Sequence, residues 1–464
     1  EFQNRGFINA KEGNHYETLT AADCPKVFSA VNHMQRTAWS VNSKVLEVMR
    51  TLWEEGSTVA GLPDCNILEE EAFPASAPKD EKRRHYREAQ RIRAVNSMNV
   101  GRRFRLHTSL KMAKKFLGEP AIYFPHHLDF RGRAYPMPKV FSPQGDDIAK
   151  GLLQFAEGKP ISGSAQVGAW FLIHGANLWG VKGSFAERTE WVRAASNQLR
   201  GNAADPLNHT HWAEASSPFQ FLAWCFEYAE WQANPHFLSQ IPCAMDGSNN
   251  GLQLMSLLLR DGQVGAATNC IPQESPADIY MDVADAVKSR MQSDPTAVNL
   301  AILKYGVDRK LMKEVVMSVP YGSSYFSIIR LFQETIYARF IADGEMPFGG
   351  RLRPHCVALA ATTWEVIKEL MPRALDLMGW IKDTIRPAIE NNTEVSWVTP
   401  MGLRVYQGYK RTIRRRVVTA IGSKIRKEAY YQDPLDILSN RNNLKAIVPN
   451  FIHSLDASVM LGTV

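Results

Sequence analysis

No C-x-x-C pair, no secretory leader and no long apolar run is found in this sequence. Its six cysteines, Cys24, Cys65, Cys225, Cys243, Cys270 and Cys356, are scattered over 464 residues, which excludes a disulfide scaffold and suits idle thiols in a reducing compartment. The closest histidine pairs, His126-His127 and His209-x-His211, lack a third ligand at useful spacing for zinc. Apolar stretches such as residues 169–173 and 257–259 fall far short of the roughly 20 residues a membrane helix needs, so no membrane partner is expected. The opening residues Glu1-Phe2-Gln3-Asn4-Arg5 carry no apolar core behind a basic start, and no methionine. Internal repeats and low-complexity tracts are missing too. With 45% hydrophobic and 22% charged residues, an ordinary globular chain of two or three domains remains.

What the chain does have is unevenly placed charge. The net charge is +7, yet residues 79–115 carry 13 Lys/Arg against 3 Asp/Glu, and residues 404–427 carry 9 against none. The rest of the chain is therefore net acidic. Two basic arms on an acidic body form the footprint of something that tracks a phosphate backbone, the bland alternative being a solvated helix surface.

Periodicity predicts a helix over residues 26–54 and a loop over 56–78. One or two long basic helices, broken near Gly101, follow over 82–116. Beyond residue 121 short strands, such as 121–124, alternate with helices over 166–179, 219–229 and 276–291. A helical stretch over 357–389 is interrupted by Pro372 and Pro387. The expected fold is α+β, mostly helical with a small sheet.

Two stretches carry chemistry. Residues 241–245 read as an apolar strand ending at Asp246, followed by the turn Gly247-Ser-Asn-Asn-Gly251 and an apolar helix starting near Ser248. A strand-end carboxylate beside an approachable glycine carbonyl suits Mg²⁺, the alternative being that Asp246 caps the helix. Further on, Arg309 and Lys313 are i, i+4 on one helix face, and Pro320-Tyr321-Gly322 marks its end. Two cations and an aromatic on one side suit a triphosphate and a sugar, or else simply face water.

Together, a strand-end Asp followed by R-x₃-K-x₇-Y-G resembles the first two motifs of the superfamily that unites single-chain RNA polymerases with family A DNA polymerases. Several further stretches narrow the resemblance to the phage and mitochondrial type of single-subunit DNA-dependent RNA polymerase. They are Asp129-Phe-Arg131-Gly-Arg133-Ala-Tyr, Asp246-Gly-Ser with Gly251-Leu-Gln253, Ala277-Asp278-Ile-Tyr280, Trp397-Val-Thr-Pro400-x-Gly402 with Gln407 and Tyr409, and Pro449-Asn-Phe-Ile-His453-Ser-Leu-Asp456. They occur in the family's order from about residue 30 to the last.

The resemblance implies a cupped right hand. Its expected parts are the end of an N-terminal domain (1–45), a thumb (46–119), a palm (120–262), fingers (263–448) with a promoter-specificity hairpin near 400–430, and the start of a second palm segment (449–464). It implies transcription from ribonucleoside triphosphates, with double-stranded DNA template and promoter and nascent RNA as partners, by a mechanism using two Mg²⁺ ions. Asp246 and the Gly247 carbonyl would hold metal, and Arg309 and Lys313 the triphosphate, Lys313 also acting as an acid on the leaving pyrophosphate. Lys182 would be a further phosphate contact. Gly251, in place of the glutamate of the DNA-polymerase relatives, would leave room for a 2′-hydroxyl that Tyr321 and His453 recognise. Asp129, Arg131, Arg133 and Gly322 would contact template and hybrid, the first three alternatively forming a buried Arg–carboxylate network.

The family's second catalytic Asp is not in the sequence, and Asp456 does not match it by pattern. A fragment of an active polymerase, one subunit whose partner chain carries the missing palm segment, and a non-catalytic nucleic-acid-binding remnant are the three expectations. The host-cell cytoplasm is the expected compartment, with a mitochondrion or plastid as the alternative.

Overall fold

Among the described residues, two large apolar cores and a smaller third one around Val27, Val31, Leu128 and Leu461 organise the fold. The computed structural model describes residues 8–9, 16, 19–71, 78–162, 165–234, 236–245, 247–421 and 425–464. The first core joins Ser43–Glu54, the C-terminal half of Lys79–Phe116 and the helices Ala165–Trp179, Phe185–Ala194, Ser196–Ala204 and Pro218–Ala233. It is aromatic: Trp212, Phe219, Phe221 and Trp224 are all fully buried, and Trp224 stacks between Phe221 (centroids 5.6 Å) and Tyr228 (5.0 Å). Such pairs add about 0.5–1.5 kcal/mol each beyond their area. Gly175 lets the two helices meet this closely, since a Cβ there would lie 2.3 Å from the Trp224 ring.

The helix expected over 26–54 is two helices, Pro25–Arg36 and Ser43–Glu54, with the strand Trp39–Val41 between them. Trp39–Val41 pairs antiparallel with Leu153–Phe155, and the Asn42 side chain accepts from the Val45 backbone N–H to start the second helix. A pairing partner more than a hundred residues away overrides the local helical period. The expected strand at 121–124 forms instead at His126–Asp129, between Ile8–Asn9 and Ala134–Pro136.

The basic stretch is one unbroken helix, Lys79–Phe116, about 57 Å long at 1.5 Å per residue. Gly101 does not break it: mid-helix glycine costs about 1 kcal/mol, which burial of Leu106, Leu110 and Ala113 offsets. The preceding loop is strapped along the helix by Arg102 to the Gly61 carbonyl (2.6 Å), Asn96 to Leu68 (2.9 Å) and Arg93 to Glu70 (2.6 Å).

The second core packs Asn250–Leu259, Ile279–Ser293, Arg309–Ser318, Tyr325–Asp343, Leu352–Leu370, Pro372–Glu390 and Asn440–Thr463 around Leu252, Val283, Met312, Phe332, Ile367 and Ile447. Pro276 does not open its helix; Asp278 caps it, accepting from Tyr280 and Met281 backbone N–H. Pro387, expected to interrupt, lies inside a helix that runs to Glu390, because the buried Ile385 and Ile389 flanking it hold the last turn on the core.

No strand forms over 241–245. The nearest ladder is Leu238–Ser239 on Lys159–Pro160, and Gln240 spends its carboxamide on the Phe155 and Ala156 carbonyls. Beyond it no neighbouring backbone among the described residues offers a ladder, and Met245 is 89% exposed. The following helix begins at Asn250 rather than near Ser248, and Asn249 caps it.

The second basic arm is a β-hairpin: Arg404–Gln407 returns onto Val395–Val398, then Lys410–Ile421 pairs with Ile425–Leu438. Its base is pinned to Asn440–Thr463 by buried amides. Gln407 donates to the Asn443 carbonyl (2.8 Å), and Asn450 donates to Gln407 (2.9 Å) and to the Tyr409 hydroxyl (3.2 Å). No helix among the described residues is long and apolar enough to cross a membrane.

Candidate active site

The helix Arg309–Ser318 opens at Asp308, whose carboxylate accepts from the Leu311 N–H (2.7 Å) and is itself held by Arg339 (2.7 Å). Leu311, Met312, Val315 and Val316 are buried in the second core. Helical periodicity therefore turns Arg309, Lys313 and Met317 away from that core, towards a cleft. A single 3₁₀ turn, Val319–Tyr321, follows and ends at Gly322 in the left-handed region (φ +81°), a turn that favours glycine.

The cleft measures about 600 Å³. It is lined by Arg309, Lys313 and Tyr321, by Lys182 and Arg188 from around the start of Phe185–Ala194, by the Gly247–Asn250 loop and by the turn Ser275–Tyr280. Lys182, Gly247, Arg309, Lys313 and Tyr321, far apart in sequence, thus share one cavity. Lys182 and Lys313 are exposed, so their ammonium groups keep their hydration until an anion replaces it. Arg309 is more constrained: its Nε donates to Asp278, and its guanidinium carbon stands 5.1 Å from the Tyr280 ring centre. Asp246 lies outside the described residues. A Cβ at Gly247 would meet Asn250 Oδ1 and Gln253 Oε1, so two amide oxygens crowd this glycine.

Behind Tyr321 lies a polar junction of three distant segments. Asp129 accepts from Arg131 (2.6 Å) and from the Arg131 and Arg133 backbone N–H groups (2.9 and 3.1 Å). Arg131 also donates to His453 Nδ1 (2.7 Å), and Arg133 donates to Asp456 (2.6 Å), which in turn accepts from Asn250 (3.0 Å). The structure thus joins Asp129, Arg131 and Arg133 in a partly buried Arg–carboxylate network. Gly322 also faces protein, with the Lys445 carbonyl and Pro449 nearest to where a Cβ would sit.

Electrostatics fixes one tautomer. Burial, with Arg133 and Arg131 nearby, pulls the His453 imidazole down to about 4, so the ring is neutral at physiological pH. Because a guanidinium only donates, Nδ1 accepts from Arg131 and Nε2 carries the proton. The ring packs 4.4 Å from Tyr321, whose hydroxyl burial pushes up while Arg133 opposes. Gly251 faces Pro320 and Tyr321: a Cβ there would come within 2.7 Å of the proline ring and 3.3 Å of Tyr321. Its missing side chain therefore seats the Tyr321 turn. His453 and Gly251 support Tyr321 from behind and are not part of the cleft wall.

Sequence reasoning gave no role to Asn250, Asn269, Asp278, Tyr280 and Arg188, all of which line the cleft. Asp278 and Tyr280 stood in a recognised motif, but only the fold brings them onto Arg309. Nothing local marks Asn269, at φ +62° in the loop between Gly262–Ala267 and Ile279–Ser293.

The model of the DNA-dependent RNA polymerase family matches residues 163–464. The chain is 32% identical over 491 residues to the DNA-directed RNA polymerase of Enterobacteria phage T3, covering 95% of this chain and 54% of that protein. It is 32% identical over 495 residues to T7 RNA polymerase of Escherichia phage T7 (95% and 55%). It is 34% identical over 453 residues to DNA-directed RNA polymerase 2, chloroplastic/mitochondrial, of Arabidopsis thaliana (94% and 44%). The chain spans about half the length of these relatives.

Proposed function

The chain belongs to the DNA-dependent RNA polymerase family, and from that premise we propose that it performs DNA-templated RNA synthesis, transferring nucleotidyl groups from ribonucleoside triphosphates. The observation that carries this reading is the convergence of Lys182, Arg309, Lys313 and Tyr321 on one cleft beside Gly247. A triphosphate presents negative oxygens at three successive phosphorus atoms, and a set of two lysines and one arginine lining one cleft supplies matching cations.

In this reading the 3′-hydroxyl of the growing strand attacks the α-phosphorus in line. A new P–O bond forms, the α–β bridging bond breaks, and pyrophosphate leaves with the charge that Lys313 neutralises as cation and acid. Arg309 and Lys182 hold the outer phosphates. Tyr321 stacks beside the sugar, and His453, packed against its ring from behind, holds it in place. Asp129, Arg131 and Arg133 shape the template side, and the basic hairpin reads promoter DNA. Thumb, palm and fingers fall at 46–119, 120–262 and 263–448, and the host-cell cytoplasm is the compartment, on the likeness to the phage enzymes.

Two Mg²⁺ ions belong to the resemblance, with Asp246 and Gly247 as their holders. Asp246 lies outside the described residues, and among these no group of three or more His, Cys, Asp or Glu could hold a metal. The Asp456 carboxylate is taken by Arg133 and Asn250.

Extension of a primed DNA template with ribo- and deoxyribonucleotides tests the reading. Ribonucleotide preference is expected, and equal use of both sugars overturns it. Gly251→Ala, whose methyl group would press on Pro320, lowers that preference by displacing Tyr321.

A further inference from the structure

We propose that Asp278 and Tyr280 are positioning residues for Arg309, presenting its two terminal guanidinium nitrogens to the triphosphate, and that Asn269 locks this arrangement to the loop at Ser248. The inference deepens the nucleotide reading above and rests on it.

Asp278 divides its carboxylate between two tasks. Oδ1 caps the helix Ile279–Ser293, accepting from the Tyr280 (3.2 Å) and Met281 (3.3 Å) backbone N–H groups, while Oδ2 accepts from Arg309 Nε. The cap fixes the carboxylate in space, and the carboxylate fixes the inner edge of the guanidinium. The Tyr280 ring, 5.1 Å from the guanidinium carbon, fixes its face. With edge and face set, the terminal nitrogens have one direction left; among the described residues they find no hydrogen-bond partner. Two parallel N–H donors held this way form the fork that phosphate oxygens accept.

Asn269 supplies the link to the loop at Ser248. Its amide nitrogen donates to the Ser248 hydroxyl (2.8 Å) and the Ala277 carbonyl (2.9 Å), and its oxygen accepts from the Ala277 N–H (2.8 Å). The residue before Asp278 and the residue after Gly247 therefore hang on one side chain. The phosphate-binding arm and the loop that follows Asp246 are thereby held in fixed register, and a preorganised fork loses less freedom when it binds.

A carboxylate in an anion-binding cleft makes the idea easy to break. On charge alone, Asp278→Asn removes a repelling charge and ATP binds more tightly. If Asp278 acts by orienting Arg309, ATP binds more weakly although the cleft has become more positive. Asparagine also caps helices, so the helix start survives the change. ATP and AMP are titrated into the intact chain, wild type and variants, with Mg²⁺ present, alongside a thermal melt.

Asp278→Asn is expected to weaken ATP five- to tenfold and AMP less than twofold. In primed extension KM rises by a similar factor with kcat nearly unchanged. The double variant with Arg309→Ala is expected to bind no more weakly than Arg309→Ala alone, since Asp278 works only through that side chain. Tyr280→Leu should weaken ATP about threefold, whereas Tyr280→Phe, which keeps the ring, should not; this pair decides the matter if Asp278→Asn does not fold. Unchanged or tighter ATP binding by Asp278→Asn, or losses that add in the double variant, overturns the inference. A wild type that does not prefer ATP to AMP overturns the nucleotide reading, and this inference with it.

Discussion

Arginines and lysines serve opposite ends in two neighbouring regions. In the junction behind Tyr321, Arg131 is held by Asp129 and His453, and Arg133 by Asp456. In the cleft, Lys182 and Lys313 are exposed, and Arg309 has a carboxylate on one edge only. Cations in the first region bind protein segments to each other, and those in the second remain available to a ligand. Residue type does not separate the two groups; the fold's placement of carboxylates does.

Four expected outcomes break or sharpen this contrast, from the largest effect down. Lys313→Ala should slow templated extension by about 10²–10³-fold, equivalent to about 3–4 kcal/mol of lost charge stabilisation, while the melting temperature barely moves. A fall in stability matching the fall in rate would make Lys313 a structural cation like Arg133.

Acid should unfold the chain through its buried imidazoles. Burial pulls His174 down to about 4, as it does His453. The unfolded chain, with imidazoles near the ordinary 6.5, takes up protons first as pH falls. Stability is therefore full above about pH 6.5 and is lost towards pH 4, by up to about 3 kcal/mol for His174. Melting curves at pH 7, 6, 5 and 4 read this directly, and His174→Leu should flatten the slope.

Asp456→Ala leaves Arg133 and Asn250 unpaired in a partly buried site and should cost about 2 kcal/mol in a denaturant titration. An unchanged midpoint would mean that the junction is held by packing alone. The smallest effect is expected at Arg415→Ala in the hairpin, where an exposed pair with Asp433 is worth under about 0.5 kcal/mol. DNA binding should still become less salt-dependent, because one phosphate-neutralising cation is gone.

Much of the cleft was legible along the sequence because its determinants are local. Arg309 and Lys313 share a face by helical spacing, and Gly322 ends the turn by its permitted φ. The helices expected from their period at 166–179 and 219–229 form as Ala165–Trp179 and Pro218–Ala233, whereas charge marked the second basic arm and only the resemblance suggested its hairpin. The misses share one cause. Trp39–Val41 is a strand because Leu153–Phe155 pairs with it, and residues 241–245 are not, because no described backbone lies alongside. Gly101 and Pro387 failed as breakers because buried neighbours outweigh their local penalties.

The sequence alone determined the helical α+β character, the two basic arms and the chemical identities at Lys182, Arg309, Lys313, Tyr321 and His453. Those follow from composition and from spacings of a few residues. Only the tertiary structure decided which cations are committed and which remain open. It set Arg133 on Asp456, Arg309 on Asp278 and Gly251 against Pro320, contacts that span between 31 and 323 residues. Charge pairing depends on separations of a few ångströms, and at such sequence distances those separations are set by how the elements pack.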